Sequence, residues 1–419
     1  MQGADTAWIL TSTALVLFMT LPGLALFYAG LVRSQNVLSV LMNCFAIAAT
    51  VSILWFAVGY SIAFGDGNAW WGGLGKSFLS GVGIDSVSGT IPETLFFMFQ
   101  MTFAIITPAL IVGAYPERIH FSFVIAFSLV WVLIVYAPVV HWVWGGGFLA
   151  EMGLLDFAGG VVVHVTAGVS ALVLAMMLGP RRGFPNEVQP PHNPGLTMIG
   201  AAMLWVGWFG FNAGSALAAD AAAGMAMTVT HISAAAGAIA WSVMEIIRYR
   251  KASLVGAVTG MVAGLATITP ASGSVGPIGG LVLGLAGGVI CYMVTQAVKQ
   301  RFKIDDSLDV FGVHGIGGFL GTCMLGIVAS PVFGGFNTDT TMMTQTIIQC
   351  TAAVATAVYT AVASYACLML TKAITGGSLR VPEGAEQGEG LDMWCHGEAC
   401  YSLSEGESAG GQPVPKVGV

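Results

Sequence analysis

Residues 121–142 read FSFVIAFSLVWVLIVYAPVVHW, a mostly apolar run without an acidic residue, a lysine or an arginine. A helix needs about 20 such residues to cross the roughly 30 Å hydrocarbon core of a bilayer. The apolar residues do not alternate with polar ones, as they do in a membrane-spanning β-strand. This run therefore predicts a transmembrane α-helix.

Similar apolar runs recur along most of the chain. Of its 419 residues, 56% are hydrophobic and 8% are charged, whereas about a quarter of the residues of a soluble protein are charged. This composition excludes a soluble fold, and we predict an all-α integral membrane protein with eleven transmembrane helices. The predicted spans are residues 7–31, 41–65, 94–114, 121–142, 157–179, 196–217, 222–246, 253–270, 276–298, 308–329 and 344–372.

The few basic residues predict the orientation of these spans. Of the 14 lysines and arginines, only Lys76 follows an even-numbered span, and the others lie together on the opposite side. Positively charged residues collect on the cytoplasmic side of membrane proteins, so we predict an N-terminus outside and a C-terminus inside. Because no basic residue precedes Arg33, no secretory signal is predicted, although a signal removed before residue 1 would leave the same pattern.

We divide the chain into a transmembrane domain, residues 1–372, and a cytoplasmic tail, residues 373–419. Glycine, glutamate, serine and proline dominate the tail, which is therefore expected to be largely flexible. The net charge is −7 and no basic patch is present, which argues against nucleic-acid binding. The seven cysteines are an odd number and lie mostly in spans or on the inner side, so disulfides are not expected.

Two segments 150 positions apart resemble each other. Residues 156–168 read DFAGGVVVHVTAG, and residues 306–318 read DSLDVFGVHGIGG. In each segment an aspartate precedes a histidine by eight positions, and a glycine follows that histidine by four. The second copy lies five spans after the first. Because five is an odd number, the two copies are expected to cross the membrane in opposite directions.

This arrangement predicts an inverted repeat of two five-helix halves, about residues 7–179 and 196–329, followed by an extra helix at residues 344–372. Transporters built from inverted repeats bind their substrate where the halves meet, near the middle of the bilayer. We therefore expect His164 and His314 to project into this interface.

Both histidines have apolar or glycine neighbours and no charged residue within reach along the helix. An ionisable side chain at that depth is costly and usually faces a transport path or a proton relay, although a histidine can also be hydrogen-bonded between packed helices. Burial favours the neutral imidazole, which offers one donor and one acceptor to a small polar molecule.

No metal or other cofactor is predicted. Zinc would need three or four ligands, and the chain places no third histidine or cysteine beside the pair. The tail motif CHGEAC offers Cys395, His396 and Cys400, but three candidate ligands in a flexible segment do not favour a metal site.

Asp156 and Trp144 precede the helix of the first histidine, and each has two interpretations. Asp156 can cap this helix through backbone N–H groups, and it can also attract cations to the outer mouth. Trp144 lies in HWVWGGGF, at a depth where tryptophan commonly anchors a protein to the interface. A tryptophan beside three glycines also has an uncovered face, over which a cation gains about 0.5 to 2 kcal/mol.

Phenylalanines accompany these residues at helical spacing. Phe99 and Phe103 share one helix face, as do Phe211 and Ser215 in GWFGFNAGSA. Most phenylalanines in membrane helices are packing residues. Paired with a hydroxyl group, they could instead form a gate beneath a cation site.

The most distinctive segments are LFYAGLVRSQNVLS, GAYPERIHFS, HWVWGGGFLAEMGLLDFAGGVVVH, GWFGFNAGSA, ITPASG, DDSLDVFGVHGIGG and RVPEGAEQGEGLDMWCHGEACY. Together they resemble the bacterial branch of the ammonium transporter (Amt/MEP/Rh) family, from about Trp8 to Tyr401. The resemblance implies a homotrimer with a pore in each subunit, in the inner membrane of a bacterium. It also implies that the tail helps a PII-type signalling protein to sit on the cytoplasmic face.

The resemblance also implies roles for individual residues. Matched by position, the site consists of Trp144, Phe103, Ser215 and Asp156 for recruitment, Phe103 and Phe211 for the gate, and His164 and His314 for the pore. Phe99, Tyr136 and Thr269 match positions near this path. Ammonium or its analogue methylammonium would be the substrate.

A mechanism follows from the cost of burying charge. A bare ammonium ion in an apolar pore would pay the penalty of an unpaired buried charge, whereas ammonia would pay far less. We therefore expect ammonium to lose a proton at the outer site and ammonia to pass the histidines. Potassium would be excluded because it has no proton to release. The sequence leaves open whether the proton follows by a separate path.

Two alternatives remain at this stage. One is an ammonium sensor of the same fold that signals through its tail, although no kinase or cyclase sequence is present in the tail. The other is a channel for another small neutral solute, such as carbon dioxide or urea. An enzyme is not expected, because no nucleophile with a partnered base, nucleotide loop or metal set is visible.

Overall fold

The computed structural model describes residues 1–401, which fold into a bundle of helices. Eleven helices in this part of the chain are long and apolar enough to cross a membrane, as predicted. They are α1 (Gly3–Leu31), α2 (Ser34–Phe64), α3 (Glu93–Ala114), α4 (Phe121–Glu151), α5 (Gly160–Leu178), α6 (Pro194–Ala213), α7 (Ala221–Tyr249), α8 (Leu254–Ala271), α9 (Pro277–Arg301), α10 (Phe311–Val328) and α11 (Met342–Thr375).

Short polar side chains begin four of these helices, because the first N–H groups of a helix have no partner within it. Asn193 accepts a hydrogen bond from the N–H of Leu196 at the start of α6. Asp220, Ser253 and Thr341 cap α7, α8 and α11 in the same way. The predicted starts of these four helices are correct to within one turn.

The start of α2 differs most from its prediction. The helix begins at Ser34 instead of residue 41. The reason lies far away in sequence, because the carboxylate of Asp392 accepts hydrogen bonds from the N–H groups of Leu38 and Ser39 at 3.0 and 2.7 Å. A partner more than 350 residues away could not be found from the local pattern.

The long loop between α2 and α3 contains the only strands within residues 1–401, β1 (Val87–Ser88) and β2 (Ile91–Pro92). They pair antiparallel in a two-stranded hairpin. The same loop is attached to α4, since the indole N–H of Trp142 donates to the carbonyl of Trp70 at 2.8 Å. The loop therefore lies over the end of α4 that carries the predicted site.

α5 and α10, which carry the two copies of the repeated element, pack very closely. The backbone of Gly168 lies against that of Gly315, and a Cβ added to Gly318 would come within 2.6 Å of the Cβ of His164. Real Cβ atoms do not approach so closely, so each copy uses its glycine to admit the other. This reciprocal packing, with α11 as the eleventh helix, agrees with the predicted inverted repeat.

Arg118 connects three loops at the ends of α3, α5 and α9. Its guanidinium group is buried and donates hydrogen bonds to the carbonyls of Gly179 and Asp305 and to the hydroxyl of Ser307, at 2.7 to 3.0 Å. Burial lowers the pKa of Arg118 to about 10, against the opposing effect of the Asp305 carboxylate. Because this value is far above neutral pH, the group stays charged and its hydrogen bonds persist.

The structure of the C-terminal tail differs from its predicted flexibility. Residues 380–396 are packed against the bundle, so the prediction of a largely flexible tail is wrong for this part. Arg380 forms a 2.7 Å ion pair with Glu386, and Val381 and Leu391 are buried. Composition suggested flexibility because glycine, glutamate, serine and proline dominate the tail. The remainder of the predicted tail, residues 402–419, lies outside the described residues.

Candidate functional site

Trp144 is the last residue of the helical stretch Ala137–Trp144 in α4, before the chain turns towards α5. Its indole N–H donates to the carbonyl of Asp156 at 2.8 Å. Its ring meets the ring of Phe103 nearly edge to face, with centroids 5.9 Å apart. Trp144 is half-buried, so part of its surface is available to a ligand, and the hydrogen bond fixes the orientation of the indole.

Asp156 caps the start of α5. Its carboxylate accepts hydrogen bonds from the backbone N–H groups of residues 159–162, at 2.6 to 3.2 Å. Gly159 adopts a φ of 108° within this turn, a conformation that favours glycine. Burial raises the pKa of the Asp156 carboxyl above its ordinary value, and the four N–H groups oppose that shift. The capping interpretation of Asp156 therefore fits the structure directly.

Three phenylalanines close the path below Trp144. The rings of Phe103 and Phe211 lie 4.4 Å apart and are tilted by 39°. Phe99 supports Phe103 from the side, with centroids 5.1 Å apart and an interplanar angle of 72°. All three side chains are almost completely buried. Phe103 and Phe211 thus pack directly against each other, and Phe99 is a packing partner of this pair.

Ser215 lies just beyond the end of α6, which stops at Ala213 instead of the predicted residue 217. Its hydroxyl donates to the carbonyl of Phe211 at 2.8 Å. Since the proton is engaged there, the lone pairs of the oxygen remain as acceptors. Ser215 is half-buried, so this oxygen can accept a hydrogen bond from a donor that reaches the gate.

His164 and His314 lie together, as the repeat predicted. Their Nδ1 atoms are 3.2 Å apart, and their rings are stacked with centroids 5.2 Å apart and an interplanar angle of 25°. Both side chains are buried. A hydrogen bond between two Nδ1 atoms requires that one carries a proton and the other does not. The pair can therefore be neutral and still hydrogen-bonded.

Widened, π-type helical turns carry the two histidines. The turns are Gly160–Val165 around His164 and Phe311–Gly315 around its partner. The N–H of His164 bonds to the carbonyl of Gly159, five residues earlier. Such turns are rare and concentrate at functional sites, because the extra residue changes the direction of a side chain. No local sequence pattern indicated them.

A narrow cavity lies around the histidine pair. The volume that the centre of a water-sized sphere can occupy in this cavity is about 10 Å³. This volume is close to the minimum that can hold one water molecule. Apart from the two imidazoles and one indole, its walls are formed by aliphatic and phenylalanine side chains and the thioether of Met19. The lining residues are Met19, Leu24, Phe27, Ile106, Leu110, Val163, His164, Leu204, Trp208, Phe211, Val262 and His314.

Trp208 is a site residue that sequence reasoning missed. Its ring is stacked on His164 at 5.5 Å with an interplanar angle of 22°. Its indole N–H donates to the hydroxyl of Thr269 at 3.0 Å, so Thr269 lies behind the cavity wall and orients Trp208. The spacing of Trp208, Phe211 and Ser215, three and four positions apart, would have placed all three on one helix face.

Tyr136 is also set back from the cavity. It is fully buried and packs between Trp131 and Trp55, with ring centroids at 6.3 and 6.2 Å. It is absent from the residues that line the cavity. Tyr136 therefore belongs to the supporting shell of the path.

The described part of the chain, up to Tyr401, contains no group of three or more histidine, cysteine, aspartate or glutamate side chains that could hold a metal ion. The histidine pair has aromatic neighbours in place of further ligands. The pair can therefore interact with a ligand through hydrogen bonds and through the faces of its rings.

Comparison with known proteins identifies the family. Residues 7–401 match the profile of the Ammonium Transporter Family. The chain belongs to the ammonium transporter family. It is 46% identical to a putative ammonium transporter of Methanothermobacter thermautotrophicus, over 96% of this chain and all of that protein. It is 44% identical to an ammonium transporter of Bacillus subtilis, again over 96% of this chain and all of that protein.

Solved structures of ammonium transporter family proteins have the same fold. A sensor Amt protein superimposes with a TM-score of 0.87 at 28% identity, covering 93% of this chain and 98% of that one. Mep2 of Candida albicans superimposes with a TM-score of 0.84 at 32% identity, covering 92% and 88%. These matches agree with the eleven-helix, multi-pass membrane fold, and the family is one of transporters and channels, not of enzymes.

Proposed function

We propose that this protein transports ammonium across the membrane. Ammonium is recruited at the mouth formed by Trp144, Phe103 and Ser215, loses one proton there, and passes the Phe211 gate as ammonia. His164 and His314 then line the pore. Asp156 holds the mouth in shape through the turn that it caps.

One observation carries this proposal: a continuous series of rings leads from the mouth to the histidine pair. Neighbouring centroids are 4.4 to 6.0 Å apart along Trp144, Phe103, Phe211, His164 and His314. Aromatic faces at the start of the series attract a cation. Neutral imidazoles at its end offer a donor and an acceptor to a small uncharged molecule.

The dimensions of the cavity support conduction of the neutral species. Its free space of about 10 Å³ leaves no room for a hydration shell around an ion. An unpaired ion among hydrocarbon walls pays a large desolvation cost. Ammonia pays much less and is close to water in size, so deprotonation at the mouth lowers the barrier.

Ser215 and the aromatic mouth supply selectivity against potassium. Ammonium donates a hydrogen bond to the free lone pairs of Ser215 and then releases a proton, whereas potassium can do neither. A proton that follows through a separate path would make net transport electrogenic. A proton that returns to the original side would make it neutral.

The proposal includes the setting of the protein. We propose a bacterial inner-membrane homotrimer with the N-terminus outside, a transmembrane domain of residues 1–372 and a cytoplasmic tail of residues 373–419. The distribution of basic residues supports this orientation, and the family resemblance supports the trimer. The ordered tail packed against the start of α2 supports a PII-type protein as a cytoplasmic partner.

A sensor is the second candidate, because this chain resembles a sensor Amt protein along 93% of its length. In that role, ammonium binds at the same mouth and the tail reports occupancy. The apolar cavity would also accept other neutral solutes such as urea or carbon dioxide, although the ring series at the mouth favours a cation.

Uptake of labelled methylammonium into proteoliposomes separates these candidates. The proposal predicts saturable uptake that ammonium inhibits and that potassium and urea do not. Binding of methylammonium without uptake would support the sensor. Uptake inhibited by urea but not by ammonium would support a channel for neutral solutes.

A further inference from the structure

His141 is a buried histidine in α4 to which the transport path assigns no role. Its side chain is 3% exposed. Nδ1 lies 3.0 Å from the carbonyl oxygen of Ala63, and Nε2 lies 2.6 Å from the carbonyl oxygen of Asn68. Both contacts are within hydrogen-bond distance, and both partners are backbone carbonyls.

The number of available protons decides how these contacts can form. A carbonyl oxygen only accepts, and a neutral imidazole carries one N–H group. A neutral His141 would therefore point a nitrogen lone pair at one of the two oxygens. Only the imidazolium form, with a proton on each nitrogen, satisfies both Ala63 and Asn68. The Nε2–O distance of 2.6 Å is short for an N–H···O hydrogen bond, so a lone pair facing this carbonyl oxygen would be repelled.

His192 provides a contrast within the same chain. Its Nδ1 lies 2.8 Å from the carbonyl oxygen of Val32, and its Nε2 lies 2.9 Å from the hydroxyl of Tyr401. A hydroxyl can donate as well as accept. His192 therefore satisfies both contacts in its neutral form, whereas His141 does not.

The two carbonyls that His141 binds belong to the end of α2 and the loop that follows it. The turn after His141 is packed too closely for side chains, since a Cβ added to Gly147 would come within 2.8 Å of the carbonyl oxygen of Ala69. Phe148 donates its N–H to that same oxygen at 3.1 Å. Trp144 lies between these two attachments, three residues after His141.

We propose that His141 is a positioning residue for Trp144, and that it performs this role as an imidazolium bridging Ala63 and Asn68. The bridge fixes the helical turn that ends at Trp144 against the end of α2, and this sets the indole over the mouth. The inference rests on the proposed function, in which Trp144 recruits ammonium.

Two carboxylates share the cleft that contains His141. Asp66 comes from the loop after α2, and Glu151 comes from the end of α4. Both are exposed, and their negative charge favours a cation nearby. They are the two acidic side chains that line this cleft.

The protonation state can be measured directly by ¹⁵N solid-state NMR on the full chain with labelled histidine, reconstituted in liposomes at about neutral pH. His141→Gln identifies the signals by their loss. The expected result is two protonated nitrogens for His141. One unprotonated nitrogen would overturn the proposal, whether or not the protein transports ammonium.

Transport kinetics test the positioning role. His141→Gln replaces two divergent donors with one amide group, so one carbonyl loses its bond, and KM for methylammonium is expected to rise about tenfold with little change in maximal rate. His192→Gln is the matched control and should leave KM unchanged.

An unchanged KM in His141→Gln, or a maximal rate that falls in proportion to the rise in KM, would contradict the positioning role. Absence of uptake in the unaltered protein would instead count against the proposed function, while the NMR result would still stand.

Discussion

At the residue scale, the polar groups of the proposed mouth differ in whether their hydrogen-bonding atoms are already bonded within the protein. The Asp156 carboxylate is occupied by four backbone N–H groups, so its main effect on a ligand is indirect. Ser215 has its proton engaged by Phe211 but keeps its lone pairs. In the proposed mechanism, Ser215 is therefore the oxygen that accepts a hydrogen bond from ammonium at the gate.

Ser215→Ala should raise KM for methylammonium about tenfold, because one hydrogen bond from a charged donor is lost. The maximal rate should change by less than about twofold, since the pore is untouched. Initial uptake rates in proteoliposomes over a range of concentrations give both values. Ser128→Ala is the control, because Ser128 makes the same type of bond to Val124 within α4. An unchanged KM in Ser215→Ala would remove Ser215 from the recruitment site.

At the element scale, the twin Asp-x7-His pattern allowed the histidine pair to be predicted from the sequence. The spacing fixed both histidines at one level of an inverted repeat, and the structure brings their Nδ1 atoms to 3.2 Å. The π-type turns could not be predicted, because they depend on how neighbouring helices pack. Trp208 was missed for a different reason, since tryptophan in a membrane helix most often serves in packing.

Asp156→Asn should loosen the turn that begins α5. A carboxylate has two oxygens for the N–H groups of residues 159–162, whereas an amide has one oxygen and places an N–H group beside these donors. The lost bonds should cost about 1 to 3 kcal/mol, measured as a lower midpoint of thermal unfolding in detergent. Asp220→Asn, at the cap of α7, should have a smaller effect because Asp220 accepts a single N–H bond there. Equal midpoints for the unaltered protein and Asp156→Asn would contradict this role of the carboxylate.

At the scale of the whole molecule, hydrophobic length and the spacing of the repeat were sufficient to predict eleven helices, ten of them in two related halves and one outside the repeat. Contacts between distant segments were not predictable. Asp392 caps α2 from more than 350 residues away, and Arg118 joins loops that are far apart in sequence. Such contacts depend on single polar groups, which leave no periodic pattern in a sequence.

The central claim, that ammonium enters at the mouth and ammonia passes the histidine pair, is tested most directly by ammonium-evoked current and methylammonium uptake in proteoliposomes. The unaltered protein is compared with a His164→Ala, His314→Ala double variant and with His231→Ala, whose side chain is exposed on α7. The account predicts that the unaltered protein and His231→Ala transport ammonium selectively and saturably. It predicts that the double variant either loses this transport or becomes permeable to potassium. Transport in the double variant with unchanged rate and selectivity would contradict the account.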